Sequence, residues 1–304
     1  MTPAEADRAA RLAFVRTLAE EVGALTLEGW GRTRGTAKTA DRFDVATEYD
    51  RRAEALVRER LAEAYPGEPI LGEEGGLEGD AGLARERLWI VDPIDGTLNY
   101  QRGLPMYAVS IAFCEDLVPT VGVTHCPATQ QTFAAATGLG ATMQIADRDP
   151  VPMQANAHVS PDDALFDVTG PGTYALVAAA DRLDVPRQTW RYLRSACMSF
   201  AYVAAGLLDA TLHSGLSLWD CAAGEVLLHE ASGNDQPGIV DFDGRPLFPD
   251  RLAAWLAATE ASEDRAAFPA TAAASGALLH THALRIVAEA RAHAAGLPTG
   301  QPGR

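Results

Sequence analysis

The stretch 88-LWIVDPIDGTLNY-100 carries four apolar residues into Asp92, Pro93, Ile94, Asp95, Gly96 and Thr97. A short apolar run bounded by proline and glycine reads as a buried strand, and this one ends in two carboxylates three residues apart. Carboxylates that close, partly out of water, raise the pKa of one of them unless a cation lies between. The stretch therefore predicts a strand that delivers acidic groups to a cation. Pro93 fixes one dihedral, and Gly96 lets the backbone approach a ligand. Asp95, Gly96 and Thr97 would then offer free amides at a helix start, a seat for phosphate or another anion. Taken alone, D-P-I-D reads as well as a turn in which Asp92 caps a helix.

Carboxylate oxygens are hard ligands that suit Mg2+ or Mn2+. Two further acidic stretches could complete such a site: Glu73-Glu74 in the turn 72-GEEGG-76, and Asp220 at the helix start in 217-SLWDCAAGEVLLHEASG-233. Each has an ordinary alternative, a solvated loop for the first and a helix cap for the second.

Upstream of the opening stretch, residues 4–29 read as an amphipathic helix with Leu12, Val15, Leu18 and Val22 on one face. A loop over 31–44 carries Lys38, a second helix starts near Thr47 and stops at Pro66-Gly67, and 69–71 is a short strand. Downstream, 107–113, 118–125 and 131–138 alternate as an antiparallel meander. Strands near 164–170, 189–193 and 209–213 then alternate with helices near 173–182, 196–208 and 220–231, which predicts an α/β unit. The Ala-rich segment 246–276 reads as helical, a last helix as 277–293, and the tail 295–304 as disordered. These readings give an N-terminal α+β domain over 1–150 and a C-terminal α/β domain over 151–304, the latter carrying Asp220 and a substrate wall.

A formal charge of −16 argues against non-specific binding to nucleic acid or an anionic membrane. The cysteines Cys114, Cys126, Cys197 and Cys221 are scattered without a C-x-x-C pair, so the expectation is reduced, buried thiols in a cytoplasmic protein. No run approaches the length of a membrane span. His125, His158, His229, His280 and His282 form no metal-ligand pattern, since residues two apart on a helix do not share a face.

Together, 44-DVATEYD-50, 72-GEE-74, 89-WIVDPIDGTLNY-100, 195-SACMSFAYVAAG-206 and 219-WDCAAGEVLLHEASG-233 resemble the inositol monophosphatase family of lithium-sensitive, Mg2+-dependent phosphatases. The likeness covers about residues 38–233. It implies an αβαβα sandwich of the type shared with fructose-1,6-bisphosphatase, a homodimer, and two or three Mg2+ ions, with Mn2+ as a substitute. It also implies roles. Glu73, Asp92 and the Ile94 carbonyl would hold a first metal, and Asp92, Asp95 and Asp220 a second. Glu73 and Thr97 would orient the attacking water, with Asp50 accepting from the Thr97 hydroxyl. The Gly96 and Thr97 amides would bind phosphate, and Lys38 would approach the site on its loop. The substrate implied is a small soluble sugar or polyol phosphate, such as inositol 1-phosphate.

Two positions depart from the family pattern in the implied substrate wall of Arg194, Ser195, Ala196 and His213. His213 stands where a glutamate is usual and Arg194 where glycine is usual, so the wall is more basic. This leaves open histidinol phosphate, fructose 1,6-bisphosphate or a nucleotide 3′-phosphate as substrate. A third possibility is a regulatory protein that keeps the fold and binds RNA polymerase, but all six of Asp50, Glu73, Asp92, Asp95, Thr97 and Asp220 are present, which favours catalysis.

Overall fold

A computed structural model describes every residue except 38–44, 157–158, 161, 171–172, 184–188, 234–237, 261–270, 275–276 and 297–304. The chain begins with helix α1 (Pro3–Gly29), a strand pair β1 (Thr36–Ala37) and β2 (Val45–Ala46), and helix α2 (Glu48–Ala64). Strands β3 (Ile70–Gly72), β4 (Gly76–Glu78) and β5 (Arg87–Asp95) lead into the short helix α3 (Thr97–Arg102). The meander follows as β6 (Ala108–Glu115), β7 (Val118–Cys126), β8 (Gln131–Ala136), β9 (Gly140–Ile145) and β10 (Val151–Pro152). The second half runs β11 (Phe166–Thr169), α4 (Thr173–Arg182), β12 (Trp190–Arg191), α5 (Ala196–Ala204), β13 (Ala210–His213) and α6 (Leu218–Ser232). It closes with β14 (Val240–Asp241), α7 (Asp250–Glu260), β15 (Thr271–Ala274) and α8 (Ala277–Gly296).

These elements stack as αβαβα. The eight-stranded sheet has the order β10-β9-β8-β7-β6-β5-β3-β4 and the five-stranded sheet β12-β11-β13-β15-β14. Helices α1 and α2 cover one face of the larger sheet, while α6 lies on the other with α5 against it. Helix α5 also meets β13 and β15 of the second sheet, and α4 and α8 pack outside that sheet.

Strand β5 shows why its sequence reads as an unbroken apolar run. Trp89 and Val91 enter the core under α1 and α2 with Val15, Leu18 and Val57. Leu88 and Ile90 face the opposite way, into the core with α5 and α6. A strand buried on both faces needs no polar alternation. Helix α6 lies close to the sheet because Gly122 on β7 has no side chain: a Cβ built there would come within 2.7 Å of the Ala223 carbonyl oxygen.

The Ala-rich segment is helical over α7 (Asp250–Glu260) but departs from that reading at its end. Residues 271–274 form β15, which pairs antiparallel with β13 on one side and β14 on the other. Helix propensity is a weak prior, and a position between two strands that need partners overrides it. Ala295 and Gly296 belong to α8 rather than to a disordered tail, and the rest of that tail lies outside the described residues. Among the described residues no helix is long and apolar enough to cross a membrane. All four cysteines are free and buried.

Candidate metal-dependent active site

In a regular strand, residues three apart point to opposite faces. Asp92 and Asp95 escape this because Asp92 pairs with Ser110 and Asp95 with Ala108, three steps on β5 against two on β6. That bulge, built around Pro93 where a strand needs no ladder amide, turns both carboxylates to one side. Strand β3 runs parallel beside β5 with Gly72 opposite Val91, and the Glu73 amide donates to the Val91 carbonyl at 3.3 Å. Glu73 thereby arrives next to Asp92. Asp220 enters from the first turn of α6, fixed by a reciprocal cap in which the Ser217 amide donates to its Oδ2.

Asp92 and Asp95 are 1% and 7% exposed, and no arginine or lysine pairs with either among the described residues. Burial, with Glu73, Asp95 and Asp220 nearby, holds the Asp92 carboxyl well above the usual carboxylate range. Burial also raises Asp95, against donation from the Ser195 hydroxyl and the amides of Cys197 at 2.9 Å and Ala196 at 3.2 Å. Asp95 therefore caps α5 as well as facing the cluster. Ligand atoms of Asp92, Asp95 and Cys197 lie within 4.8 Å of one another.

A divalent cation fits this donor set. Asp92 and Asp95 form a buried acidic pair that meets no lysine or arginine among the described residues, the half-buried Glu73 and Asp220 lie near enough to raise the Asp92 pKa, and oxygen donors of this kind suit Mg2+. The Cys197 thiol lies among these groups and donates to the Asp220 carbonyl at 3.3 Å; burial and the neighbouring carboxylates push its pKa well up, and a protonated thiol is a poor metal ligand, so the donors that suit a cation here are oxygens.

The neighbouring groups are held as tightly. Asp50 is fully buried in the first turn of α2, where the Thr47 amide donates to its Oδ2 at 2.7 Å. The Thr97 hydroxyl lies 3.3 Å from Asp50 Oδ1 and 3.1 Å from the Ile94 carbonyl oxygen. It has one proton, so it donates to one of these at a time. Gly96, at φ +86, forms the left-handed turn that starts α3, a conformation that favours glycine. A Cβ there would come within 3.2 Å of the Arg194 carbonyl oxygen and the Ser195 side chain.

Of the wall residues, Ser195 and Ala196 meet Asp95, and Arg194 is exposed in a left-handed turn at φ +60. His213 is fully buried, with Nε2 2.6 Å from Thr211 Oγ1 and 3.4 Å from Asp167 Oδ2. It lies inside the fold instead of on an open surface, and burial together with Arg194 lowers its pKa against the pull of Asp167. Lys38 lies outside the described residues.

Four residues that the sequence reading passed over shape the site. Glu54 accepts from the amides of Glu74 and Gly75, each at 2.8 Å, and so fixes the turn that presents Glu73. Its signal was Arg58 four residues on, which pairs with it at 2.9 Å. Asp167, a lone acid in an apolar strand, accepts from the Leu193 amide at 2.7 Å. Asn99 donates to the Leu193 carbonyl at 2.8 Å, so these two fix the segment before Arg194. Cys197 carried no signal beyond its position after Ser195.

The layered fold and the acidic cluster are those of a phosphoric monoester hydrolase. The chain belongs to the inositol monophosphatase family, whose family model matches residues 7–275. A Thermotoga maritima protein described as fructose-1,6-bisphosphatase/inositol-1-monophosphatase is 34% identical over 237 residues, 77% of this chain and 86% of its own. A Nus factor SuhB of Xylella fastidiosa is 37% identical over 209 residues, 67% of this chain and 71% of its own. A histidinol-phosphatase of Mycobacterium tuberculosis is 33% identical over 225 residues, 73% of this chain and 85% of its own. A solved Thermotoga maritima IMPase superposes with a TM-score of 0.75 at 28% identity, over 93% of this chain and 99% of that one.

Proposed function

We propose that the protein is a Mg2+-dependent phosphomonoesterase that hydrolyses a small soluble sugar or polyol phosphate. The observation that carries this reading is the convergence of Glu73, Asp92, Asp95 and Asp220 beside the Asp50–Thr97 pair at the end of β5. Glu73, Asp92 and the Ile94 carbonyl would hold one ion, and Asp92, Asp95 and Asp220 another. When bound, the ions supply Lewis-acid polarisation of the phosphoryl group and neutralise its charge.

The protein's own groups do the rest. The Gly96 and Thr97 amides hold the phosphate oxygens at the start of α3. Glu73 and the Thr97 hydroxyl orient water on the phosphorus, and Asp50 keeps that hydroxyl aimed by accepting its hydrogen bond. Asp95 fixes the angle of α5 and thereby the position of Ser195 and Arg194 at the rim. No side chain needs to form a phospho-enzyme.

The exposed Arg194 guanidinium supports a second reading within the same chemistry, a substrate with another anionic group such as fructose 1,6-bisphosphate. The names of the relatives keep histidinol phosphate in the panel, and the SuhB relative keeps a regulatory role in view. The family likeness extends the proposal to a cytoplasmic homodimer.

Phosphate release from inositol 1-phosphate, fructose 1,6-bisphosphate, histidinol phosphate and a nucleotide 3′-phosphate tests the reading. Release should require Mg2+, be inhibited by lithium, and vanish in Asp92→Asn. A wild-type protein inactive on the whole panel with Mg2+ present would overturn it. Arg194→Gly should lower turnover of a bisphosphate more than that of a monophosphate, and equal effects would remove the second reading.

A further inference from the structure

At the end of α3 away from Gly96 lies a cavity of about 490 Å3 between the turn at 31–35 and Gln101-Arg102. Its walls are fixed at two points. The Gly31 amide donates to the Tyr100 carbonyl at 3.0 Å, and the Gly35 amide to Gln101 Oε1 at 2.9 Å. Gly31, at φ +69, lets the turn pass so near that a Cβ on it would be 3.0 Å from the Gly103 Cα.

Three arginines, Arg32, Arg34 and Arg102, line this cavity and are exposed. None of them has a carboxylate partner among the described residues, whereas Arg11, Arg58, Arg60 and Arg87 are all paired. In a chain of formal charge −16, with 41 acidic residues to 25 basic ones, three guanidiniums around one cavity, none paired with a carboxylate among the described residues, run against the composition. Beside them Gln101 Nε2 is hidden from solvent and has no acceptor among the described residues. A buried amide donor left unmade is costly, and a ligand oxygen would satisfy it.

We infer that this cavity is a second anion site, separate from the catalytic centre, which binds a compact phosphate-class anion such as a diphosphate or a bisphosphorylated small molecule. Guanidinium forks match phosphate oxygens in pairs, and three of them suit a ligand with more than one phosphoryl group. The cavity volume falls within the range of about 300–1,000 Å3 usual for small-ligand sites. Arg102 lies about 8 Å along the helix from Thr97 at 1.5 Å per residue, so a single phosphate cannot occupy both sites. The acidic remainder of the protein repels a long polyanion that would extend beyond the cavity, which favours a small ligand over a nucleic acid.

Calorimetric titration of the metal-free protein with inorganic pyrophosphate in EDTA tests this without any turnover, so it is independent of the proposed phosphatase activity. One pyrophosphate should bind per chain. Arg34→Ala, and the pair Arg32→Ala with Arg102→Ala, should each weaken binding roughly tenfold or more. Arg148→Ala, an exposed arginine that does not line the cavity, should leave it unchanged. Acetate offered to the wild-type protein should bind at least roughly tenfold more weakly than pyrophosphate, since its one singly charged carboxylate can engage a single guanidinium fork. Absence of pyrophosphate binding, equal binding of acetate, binding unchanged in Arg34→Ala, or equal loss in Arg148→Ala would overturn the inference.

Discussion

Asp92→Asn should abolish phosphatase activity and yet stabilise the metal-free protein. Asp92 lies no more than 4.8 Å from a ligand atom of Asp95 and is almost fully buried. Two ionised carboxylates at that separation repel by about 3.5 kcal/mol at an effective dielectric near 20. Burial and the acidic neighbours raise the Asp92 pKa, which favours a proton on Asp92 in the metal-free protein. The unfolded chain has no such need. A raised folded pKa means that the native state binds more protons, so metal-free stability falls as pH climbs above the ordinary Asp value and continues to fall until the folded pKa is passed. Asparagine keeps the acceptor that the Ile94 amide uses at 3.1 Å and removes the charge. Urea unfolding in EDTA at pH 8 should therefore show the variant more stable by about 2–4 kcal/mol. Added Mg2+ should stabilise the wild type through preferential binding to the native state and the variant far less. A variant less stable than wild type in EDTA would show that these carboxylates do not repel as their spacing implies.

Glu54→Gln should leave the Glu73-Glu74 turn with one acceptor where it now has two and break the pairing with Arg58. Activity should fall at least roughly tenfold, and Mg2+ affinity measured by calorimetry should fall with it; unchanged affinity would show that the turn holds itself. Gly122→Ala puts a methyl against the Ala223 backbone and should cost about 1–3 kcal/mol in urea unfolding, together with weaker metal binding as α6 and Asp220 shift. Burial pushes Glu225 up from 4.5 to about 7. Between those values the unfolded chain ionises while the native protein keeps the proton, so stability should drop with rising pH by about 3 kcal/mol in all. Glu225→Gln should flatten that slope, and an identical slope in the variant would assign it to another group.

Much of this arrangement was legible in local sequence. The apolar run of β5, the start of α2 at Thr47 and the Gly96 turn are short-range patterns whose physics lies within a few residues, whereas Asp220, read at the start of its helix, lies in the first turn behind the Ser217 cap. The convergence of Glu73 and Asp220 on Asp92 was reached through resemblance, because spacing alone cannot say which acidic loops meet. β15 was misread because its role comes from β13 and β14 on either side, which no window around 271–274 contains. His213 was assigned to a substrate wall through the resemblance, and its burial against Thr211 and Asp167 depends on the packing of two separate strands, which local sequence does not reveal. Glu54 and Asp167 were passed over for a related reason: each bonds to backbone amides remote in sequence, which neighbouring residues do not reveal, and Arg58 marks only the ion pair of Glu54.

The most direct test of the carboxylate cradle is Mn2+ binding followed by electron paramagnetic resonance, with wild type compared with Asp220→Asn. Asp220 comes from α6, more than a hundred residues after β5 in sequence, so it reports the convergence itself. The wild type should take up Mn2+, Mg2+ should displace it, and Asp220→Asn should lose at least one bound ion or weaken it roughly tenfold or more. Equal Mn2+ stoichiometry and affinity in both proteins would contradict the site described above.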